Sequence, residues 1–533
     1  MPVYIDPNFA QRLDSEVLSA LSDWAELHNR SYRLERWLDN GRSRQPVAYV
    51  AETDHAARSS RRLIMKVPDP PAGPIRDLEY GRHSAAVLHG GDFSKSHLST
   101  YAYDAVPCPG RRWITFQYVV GQNLESTEPL TVLLRRMLGV TQEGDDDRIE
   151  CDPETFARAC GNVVAGVLGE WAGKPYLLEG PNGWTVPEFF RRHLFDQLEP
   201  GGRLYEWLSR YAGDEIVLSD EPSPLPNPFA VAQGRYFSDS LVLRPIVGKS
   251  HGDLHTDNAL IKVRPTVDPS AYYLIDTALY EAEGPLTRDP THMVLYIIAR
   301  VMPMALDSPV IQSRLIELLL DPVSGPRHHV PSWLWLVIDE TERAANEWIG
   351  PSGFAPLWEQ QRWLSLAACA MLFLGRTSTR EQDKPWFLRL AARAVAKFAD
   401  AHPDKRAAIS GHANRHQATS AREWVGWLCR DLPAVIEAAR EVGREDEAER
   451  FRADALSGLD RSAEYRDFVR KIGGPDPGHG RLGTRGSEGW AEPDEYVCPA
   501  DRCARRERRP PSGKIPECHL EPTGRRRLKS SLD

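Results

Sequence analysis

The sequence of 533 residues has few of the features that mark disulfide-rich, secreted or membrane-spanning proteins. Its eight cysteines are scattered, whereas a disulfide scaffold needs a short chain with dense, regular cysteines. The uncharged apolar run at 364–375 is shorter than the roughly 20 residues of a membrane helix, so we interpret it as a buried helix. The first ten residues lack the basic and then apolar order of a secretory signal. We therefore expect a cytoplasmic protein with reduced thiols and no membrane partner.

Charge is distributed unevenly along the chain. The net charge is −9, but residues 501–533 hold ten Lys and Arg against five Asp and Glu, which gives this end +5 and leaves −14 for the rest. Such an end is either a solvated disordered segment or a contact arm for a protein or another anionic partner. It has no aromatic residue to stack on bases, which argues against nucleic acid as the partner.

The order of predicted elements changes along the chain. Near the N-terminus, period-two alternation and turn residues predict a strand-rich segment that contains one helix. After about residue 121 the spacing of apolar residues is mostly helical. The predicted elements of the first segment are strands at 32–38, 47–51, 62–67, 98–105 and 113–120, with the helix at 77–88.

The most informative motif is His-Gly-Asp-Leu-His-Thr-Asp-Asn, residues 251–258. Asp253 lies two residues after His251, and Asn258 follows five residues later. A second lone acid, Asp276, ends the apolar strand-like run at 271–275. This order suits phosphoryl transfer, which uses a carboxylate beside the acceptor hydroxyl and two oxygen ligands for magnesium.

These residues resemble the catalytic core of the aminoglycoside phosphotransferase and choline kinase-like branch of the protein-kinase-like superfamily. In that branch the loop reads His-Gly-Asp, with an asparagine five positions after the aspartate. The resemblance covers roughly residues 30–400 and is strongest over 251–289. It implies an α+β, bilobal protein-kinase-like fold with a strand-rich N-lobe and a helical C-lobe. It also implies ATP and Mg²⁺ as cofactors and a small-molecule hydroxyl as the acceptor.

The resemblance assigns roles to the residues of the motif. Asp253 is the expected catalytic base, which accepts or orients the proton of the attacking hydroxyl. His251 is expected to shape the loop through hydrogen bonds. Asn258 and Asp276 are the expected magnesium ligands, and through the metal they bind the nucleotide.

Three more residues extend the predicted site. Lys66 ends an apolar strand-like run where the kinase-like fold places the lysine that holds the α- and β-phosphates. Glu79, in the following helix, is its predicted ion-pair partner, with Asp77 as a neighbouring candidate. Asp289 precedes Pro290, so we predict a helix N-cap that supports the catalytic loop rather than touching the nucleotide.

The resemblance and the element pattern together predict five segments. The last of them is rich in Gly, Pro and Arg, a composition typical of disorder. The predicted boundaries are an N-terminal helical extension at 1–30, a small ATP-binding lobe at 31–121, a large catalytic lobe at 122–405 with an insert at 175–245, a C-terminal helical region at 406–471 and a disordered basic tail at 472–533.

Two departures from the family pattern keep three functions open. Asp276 is followed by Thr277 and Ala278, neither the Phe-Gly of protein kinases nor the bulky residue and acid common in phosphotransferases. The segment 39–43 offers one glycine where a phosphate-binding loop is expected. The leading function is an ATP- and magnesium-dependent phosphotransferase for a small metabolite or antibiotic. The alternatives are a protein-directed kinase of a bacterial signalling or conflict system, with the tail as interaction arm, and a catalytically inactive nucleotide-binding pseudokinase or scaffold.

Overall fold

The protein mixes helices and antiparallel strands, and its chain divides into two compact units, Met1–Ala407 and Ala408–Asp533. The fold is known from a computed structural model. The class is α+β, as expected from the sequence. The residues described are 3–38, 45–68, 79–121, 124–140, 149–178, 183–218, 221–238, 241–306, 308–403, 428, 432–456, 462–472, 495–497, 506–508 and 529–530.

A five-stranded antiparallel sheet forms the N-terminal part of the first unit, in the order β1-β2-β3-β5-β4. A helix, α1, precedes it, and the Asp14 side chain caps this helix by accepting from the N–H groups of Glu16 and Val17. The elements are α1 (Ser15–Leu27), β1 (Arg30–Trp37), β2 (Val47–Asp54), β3 (Ser59–Lys66), β4 (Val106–Cys108) and β5 (Arg112–Tyr118).

Alternation along the strands gives this sheet one apolar face, which packs against α1. Tyr32 stacks on Phe116 within that cluster, with ring centroids 4.9 Å apart. Val47 of β2 pairs with Lys66 of β3. Both residues are half-buried, and each lies next to a buried residue of its own strand. Because neighbours along a strand point to opposite faces, buried Met65 faces the cluster and Lys66 faces away from it.

The predicted strand at 98–105 is wrong. Two short helices, α2 (Glu79–Gly90) and α3 (Asp92–His97), are followed by an irregular segment and then by β4. The irregular segment still bonds to β5: the Ala102 N–H donates to the Phe116 carbonyl at 2.7 Å, and the Tyr118 N–H donates to the Thr100 carbonyl at 2.9 Å. These bonds satisfy the backbone without a continuous ladder, and an alternating sequence pattern does not distinguish this arrangement from a regular strand.

The rest of the first unit is mainly helical and has a second hydrophobic cluster. Its helices are α4 (Leu130–Met137), α5 (Pro153–Ala165), α6 (Val186–Leu194), α7 (Tyr205–Arg210), α8 (Pro228–Ala232), α9 (Arg288–Ala305), α10 (Pro309–Leu320), α11 (Ser332–Ile349), α12 (Ala355–Gly375) and α13 (Lys384–Asp400). Its strands are β6 (Thr127–Pro129), β7 (Tyr176–Leu177), β8 (Trp184–Thr185), β9 (Glu215–Ile216), β10 (Leu225–Pro226), β11 (Val242–Leu243), β12 (Ile246–Ser250), β13 (Ala259–Lys262), β14 (Asp268–Leu274) and β15 (Glu281–Pro285).

Two small sheets frame the motif at 251–258. In one, β12 lies between β15 and β7; in the other, β13 lies between β14 and β6. The motif therefore leaves one sheet at the end of β12 and enters the other at the start of β13. Antiparallel pairing of β13 with β14 brings the end of β14 to Asn258, whose carbonyl accepts from the Ile275 N–H at 3.0 Å.

The second unit contains helices at 432–441 (α14), Glu445–Leu456 (α15) and Ser462–Lys471 (α16). Three short strands, Glu495–Val497, Arg506–Arg508 and Lys529–Ser530, pair antiparallel. Most of the predicted disordered tail at 472–533 lies outside the described residues, and its disorder stays a prediction. No helix in the described part of the chain is long and apolar enough to cross a membrane.

Substitutions at Gly166 and Gly169 test how tightly the chain packs where α5 continues into the π-helical segment Gly166–Ala172. An added Cβ at Gly166 would lie 1.6 Å from the Tyr272 hydroxyl oxygen, whereas one at Gly169 would meet no atom within 4 Å. We expect Gly166→Ala to lower the free energy of unfolding by about 1–3 kcal/mol, because overpacking forces its neighbours to shift. Gly169→Ala should leave that free energy unchanged or raise it by up to about 1 kcal/mol, since alanine is the better helix former.

Urea unfolding followed by circular dichroism measures both variants against the unchanged protein. Equal midpoints for Gly166→Ala and Gly169→Ala would contradict the packing of Tyr272 against this segment.

Candidate active site

A buried carboxylate holds the first residues of the motif. Asp289 is 1% exposed, and its two oxygens accept from the backbone N–H groups of His251, at 2.7 Å, and Gly252, at 2.9 Å. Burial raises the pKa of Asp289, although His251 and Arg288 oppose the shift. The predicted N-cap position is wrong: Thr287 is the N-cap of α9, and Asp289 lies in the first turn. The Asp289 carboxylate therefore accepts hydrogen bonds from the loop instead of capping the N-terminus of α9.

Gly252 is required by the path of the loop. Its φ is +79°, in the left-handed region that glycine adopts without steric cost. A Cβ at this position would also lie 2.1 Å from the Leu279 carbonyl oxygen. The close approach brings the loop against the segment that follows Asp276.

His251 is buried and orders the loop from inside. Its Nε2 lies 2.9 Å from the Ile275 carbonyl, which can only accept, so Nε2 carries the proton. The unprotonated Nδ1 then accepts from the Asp253 N–H at 3.3 Å. Both nitrogens are engaged with backbone groups, which suits a loop-shaping residue and not a proton carrier.

Asp253 lies among basic groups. Its Oδ2 is 3.6 Å from His255 Nε2, and its Oδ1 is 3.7 Å from an Arg376 nitrogen and from His292 Nδ1. Burial alone would raise the pKa of Asp253, but the close contact with His255 and the nearby positive charge outweigh it and hold this pKa well below its usual range. The side chain is 32% exposed. An ionised, partly accessible carboxylate can accept a hydrogen bond from a hydroxyl and align it.

Asn258 and Asp276 supply oxygen atoms on the other side of the loop. The Asn258 Nδ2 donates to the Asp253 carbonyl at 3.0 Å, so its Oδ1 is the side-chain atom suited to a cation. Asp276 has φ +59° and a side chain 44% exposed. One amide oxygen and one carboxylate fit Mg²⁺, which takes one or two protein oxygens beside phosphate and water. The described residues contain no cluster of three His, Cys, Asp or Glu that could hold a metal by itself.

Lys66 joins the sheet to this loop. Its ammonium forms an ion pair with Glu79 of α2 and lies 4.0 Å from Asp276 Oδ1. Burial would lower the pKa of Lys66, but the charges of Asp276 and Glu79 outweigh it and raise this pKa. The lysine is therefore charged at neutral pH. Asp77, the alternative partner, and the segment 39–43 lie outside the described residues.

Sequence reasoning missed the residues that α9 contributes on the Asp253 side of the loop. His255 stacks on Tyr296 with centroids 4.3 Å apart, and the Tyr296 hydroxyl donates to Asp257. An Arg300 nitrogen donates to the same Asp257 carboxylate at 2.6 Å. His292, Tyr296 and Arg300 follow one another at intervals of four on α9, so one helical face directly after Asp289 was the available signal.

Arg376 could not have been found in this way. It directly follows α12, more than a hundred residues after Asp253. Its guanidinium lies 2.9 Å from His292 Nε2 and stacks on Phe373, with the carbon of the guanidinium 4.3 Å from the ring centroid. Only the packing of α12 beside α9 brings this charge to the motif.

No protein-family model matches the chain, and no curated protein matches it in sequence. Solved structures do match. One, from Ralstonia eutropha JMP134, is described as a candidate aminoglycoside phosphotransferase; it is 13% identical, the match covers 73% of this chain and 99% of that one, and the TM-score is 0.33. Another is a glucosamine kinase, 12% identical, with 69% and 94% of the two chains covered and a TM-score of 0.30. Both TM-scores are below 0.5.

Asp289→Ala tests how far the loop depends on the buried carboxylate. The change leaves two backbone N–H groups unpaired, and each buried unsatisfied donor costs about 1–3 kcal/mol. We expect the free energy of unfolding to fall by about 2–5 kcal/mol in urea denaturation. Asp321→Ala is the matched control, because Asp321 accepts from one N–H, that of Ser324, in an exposed turn. A loss of 1 kcal/mol or less in both variants would show that Asp289 does not hold the loop.

The pKa of Asp253 predicts a pH dependence of stability. A carboxylate whose folded pKa is lowered contributes stability above the ordinary aspartate pKa of about 3.9, and that stability is lost as the pH falls. We expect Asp253→Asn to have a lower unfolding midpoint at pH 7, and the difference to shrink between about pH 5 and pH 3. Thermal unfolding across this range measures it. A variant more stable than the unchanged protein at pH 7 would contradict the favourable interactions assigned to the ionised carboxylate.

Proposed function

We propose that the protein is an ATP- and magnesium-dependent phosphotransferase acting on a hydroxyl group of a small molecule. The observation that supports this most directly is the convergence of separate chain segments on one locus. Lys66 comes from β3, Glu79 from α2 and Asp276 from the end of β14, and Asn258 lies beside that end. The pattern of a charged lysine, two oxygen donors and an aligned carboxylate is the one that phosphoryl transfer uses.

A bilobal kinase-like layout is part of the proposal. Two separate hydrophobic clusters support it, one between α1 and the five-stranded sheet and one among the helices of the larger part. The proposed lobes are the predicted ones, 31–121 for the nucleotide and 122–405 for the acceptor, with the insert at 175–245. The ion pair of Lys66 with Glu79 and the 4.0 Å approach to Asp276 would then lie at the nucleotide.

On the nucleotide side, the residues would act by charge and position. The Lys66 ammonium, held by Glu79, would contact phosphate oxygens. Asn258 and Asp276 would hold Mg²⁺, which when bound neutralises phosphate charge and aligns the transferred group. The exposed fraction of Asp276 and the orientation of the Asn258 amide support this assignment.

On the acceptor side, Asp253 would orient the attacking hydroxyl. Its low pKa makes it a weak base, but a loose phosphoryl-transfer transition state needs little proton removal before the bond to the leaving group has stretched. Alignment is then its main contribution. His251 would keep Asp253 in place through the backbone contacts of the loop.

The charges around Asp253 favour a neutral or anionic acceptor over a polycationic one. The carboxylates of Asp253 and Asp257 have arginine nitrogens within 3.7 Å and 2.6 Å, those of Arg376 and Arg300. The two guanidinium groups balance the two carboxylates, so these four residues provide no surplus negative charge to attract an acceptor with several ammonium groups.

A transfer assay tests the function. The purified full chain is incubated with γ-phosphate-labelled ATP and Mg²⁺, alone and with three sets of acceptors: neutral sugars and polyols, sugar acids and polycationic amino sugars. We expect label on neutral or anionic acceptors, and a loss of about 10²- to 10⁴-fold in rate for Asp253→Asn. Asp276→Asn should lose transfer through weaker metal binding. Asp339→Asn, which breaks a surface ion pair with Arg327, is the control and should retain the rate.

The same assay separates the alternatives. Label on protein and on no added acceptor would favour the protein-directed kinase, for which the basic end of the chain would be the contact arm. Nucleotide binding without transfer to any acceptor or protein would favour the inactive pseudokinase or scaffold. Transfer that survives Asp253→Asn would overturn the role proposed for Asp253.

A further inference from the structure

Helix α2 contacts the segment after Asp276 at three points, in addition to the ion pair of Glu79 with Lys66. His83 Nδ1 lies 2.8 Å from the Thr277 hydroxyl oxygen. An Arg82 nitrogen donates to the Ala278 carbonyl at 3.2 Å, and His89 Nδ1 lies 3.1 Å from the Tyr280 hydroxyl. These contacts span two turns of α2, so the helix is fastened along its length to the residues that directly follow Asp276.

The hydrogen bond of His83 with Thr277 is the most buried of these contacts. His83 is 1% exposed and Thr277 is fully buried. The other ring nitrogen, Nε2, lies 2.7 Å from the Ser99 carbonyl and therefore carries the proton, so Nδ1 accepts from the Thr277 hydroxyl. Burial lowers the pKa of His83 to about 4, in agreement with a neutral ring. The Thr277 hydroxyl and both nitrogens of the His83 ring therefore each have a hydrogen-bond partner, with donor and acceptor roles that agree.

Asp276 needs such support because its backbone is strained. Its φ of +59° is in the left-handed region, which a non-glycine residue occupies at a cost and keeps only where its surroundings hold it. Ile275 on one side bonds to Asn258 and His251, and Thr277 on the other side bonds to α2. The turn is therefore fixed at both ends.

We propose that His83 and Thr277 are positioning residues, which lock α2 to the Asp276 turn so that Glu79, Lys66 and Asp276 keep one arrangement without a separate activation step. The inference rests on the proposed function, since it concerns the same nucleotide and metal site. The same inference explains why Thr277 follows Asp276 where protein kinases have phenylalanine. A buried hydroxyl is required at this position, and a phenylalanine could not form a hydrogen bond with the His83 ring. Arg82 and His89 add contacts farther from the metal-binding carboxylate.

Three variants separate the hydroxyl from the shape of its side chain. Thr277→Val replaces the hydroxyl by a methyl group of similar size and leaves His83 Nδ1 unpaired. Thr277→Ser keeps the hydroxyl and removes the methyl group. Tyr280→Phe is the matched control, because it removes another hydroxyl that bonds to α2, four residues beyond Asp276.

Calorimetry with a non-hydrolysable ATP analogue, with Mg²⁺ and with chelator, measures the effect on the full chain. We expect Thr277→Val to weaken binding in Mg²⁺ about tenfold, because only the fraction of molecules with Asp276 in place binds the metal complex. Thr277→Ser and Tyr280→Phe should bind within about threefold of the unchanged protein. With chelator, Thr277→Val should match the unchanged protein within the same range.

Amide hydrogen exchange supplies a second readout. In Thr277→Val, but not in Thr277→Ser, exchange should be faster over α2, Glu79–Gly90. If Thr277→Val does not fold, Thr277→Ala removes the hydroxyl without placing a methyl group against the ring and gives the same comparison. Unaltered exchange and unaltered Mg²⁺-dependent binding in the variant without the hydroxyl would overturn the inference. Failure of the unchanged protein to bind the nucleotide would instead overturn the proposed function.

Discussion

The two hydrogen bonds from the backbone of His251 and Gly252 to the buried Asp289 carboxylate are the constraint on which the site depends. They fasten the start of the motif to α9, and α9 also carries His292, Tyr296 and Arg300 to the other side of the loop. Within the held loop, the hydrogen bond from the Asn258 amide to the Asp253 carbonyl fixes the position of Asn258 relative to Asp253. Removing this buried carboxylate would leave two backbone N–H groups without their partner, which is costly in free energy.

Carboxylates lie beside basic groups on both sides of the loop. On one side Lys66 lies between Glu79 and Asp276, and on the other Arg376 and Arg300 lie beside Asp253 and Asp257. Around Asp253 and Asp257, hydrogen bonds and positive charge hold the pKa of both carboxyl groups below its usual range, although burial alone would raise it. In the proposed function, an incoming phosphate would add negative charge beside Lys66, and magnesium would supply further positive charge there.

Much of the site was predictable because its residues are close in sequence or lie at the ends of predicted strands. Asp253 and Asn258 lie in one motif, and Asp276 and Lys66 end apolar runs. The strand at 98–105 was predicted wrongly because irregular backbone can bond to β5 through isolated pairs, a geometry that alternation does not distinguish from a ladder. The N-cap of α9 was misplaced by two residues, since an aspartate before proline can also turn its oxygens toward another backbone segment.

The sequence by itself determined which chemical groups are present and their order: the motif at 251–258 and the acid after the apolar run at 271–275. Only the tertiary structure decided what surrounds them. Arg376 reaches Asp253 from the end of α12, and His83 reaches Thr277 from α2, across separations in sequence for which no local pattern exists. Local patterns report periodicity and backbone preference, whereas these contacts depend on how whole helices pack. Packing energy is shared among many apolar side chains, so the sequence around a polar residue does not show which distant residue the packing brings beside it.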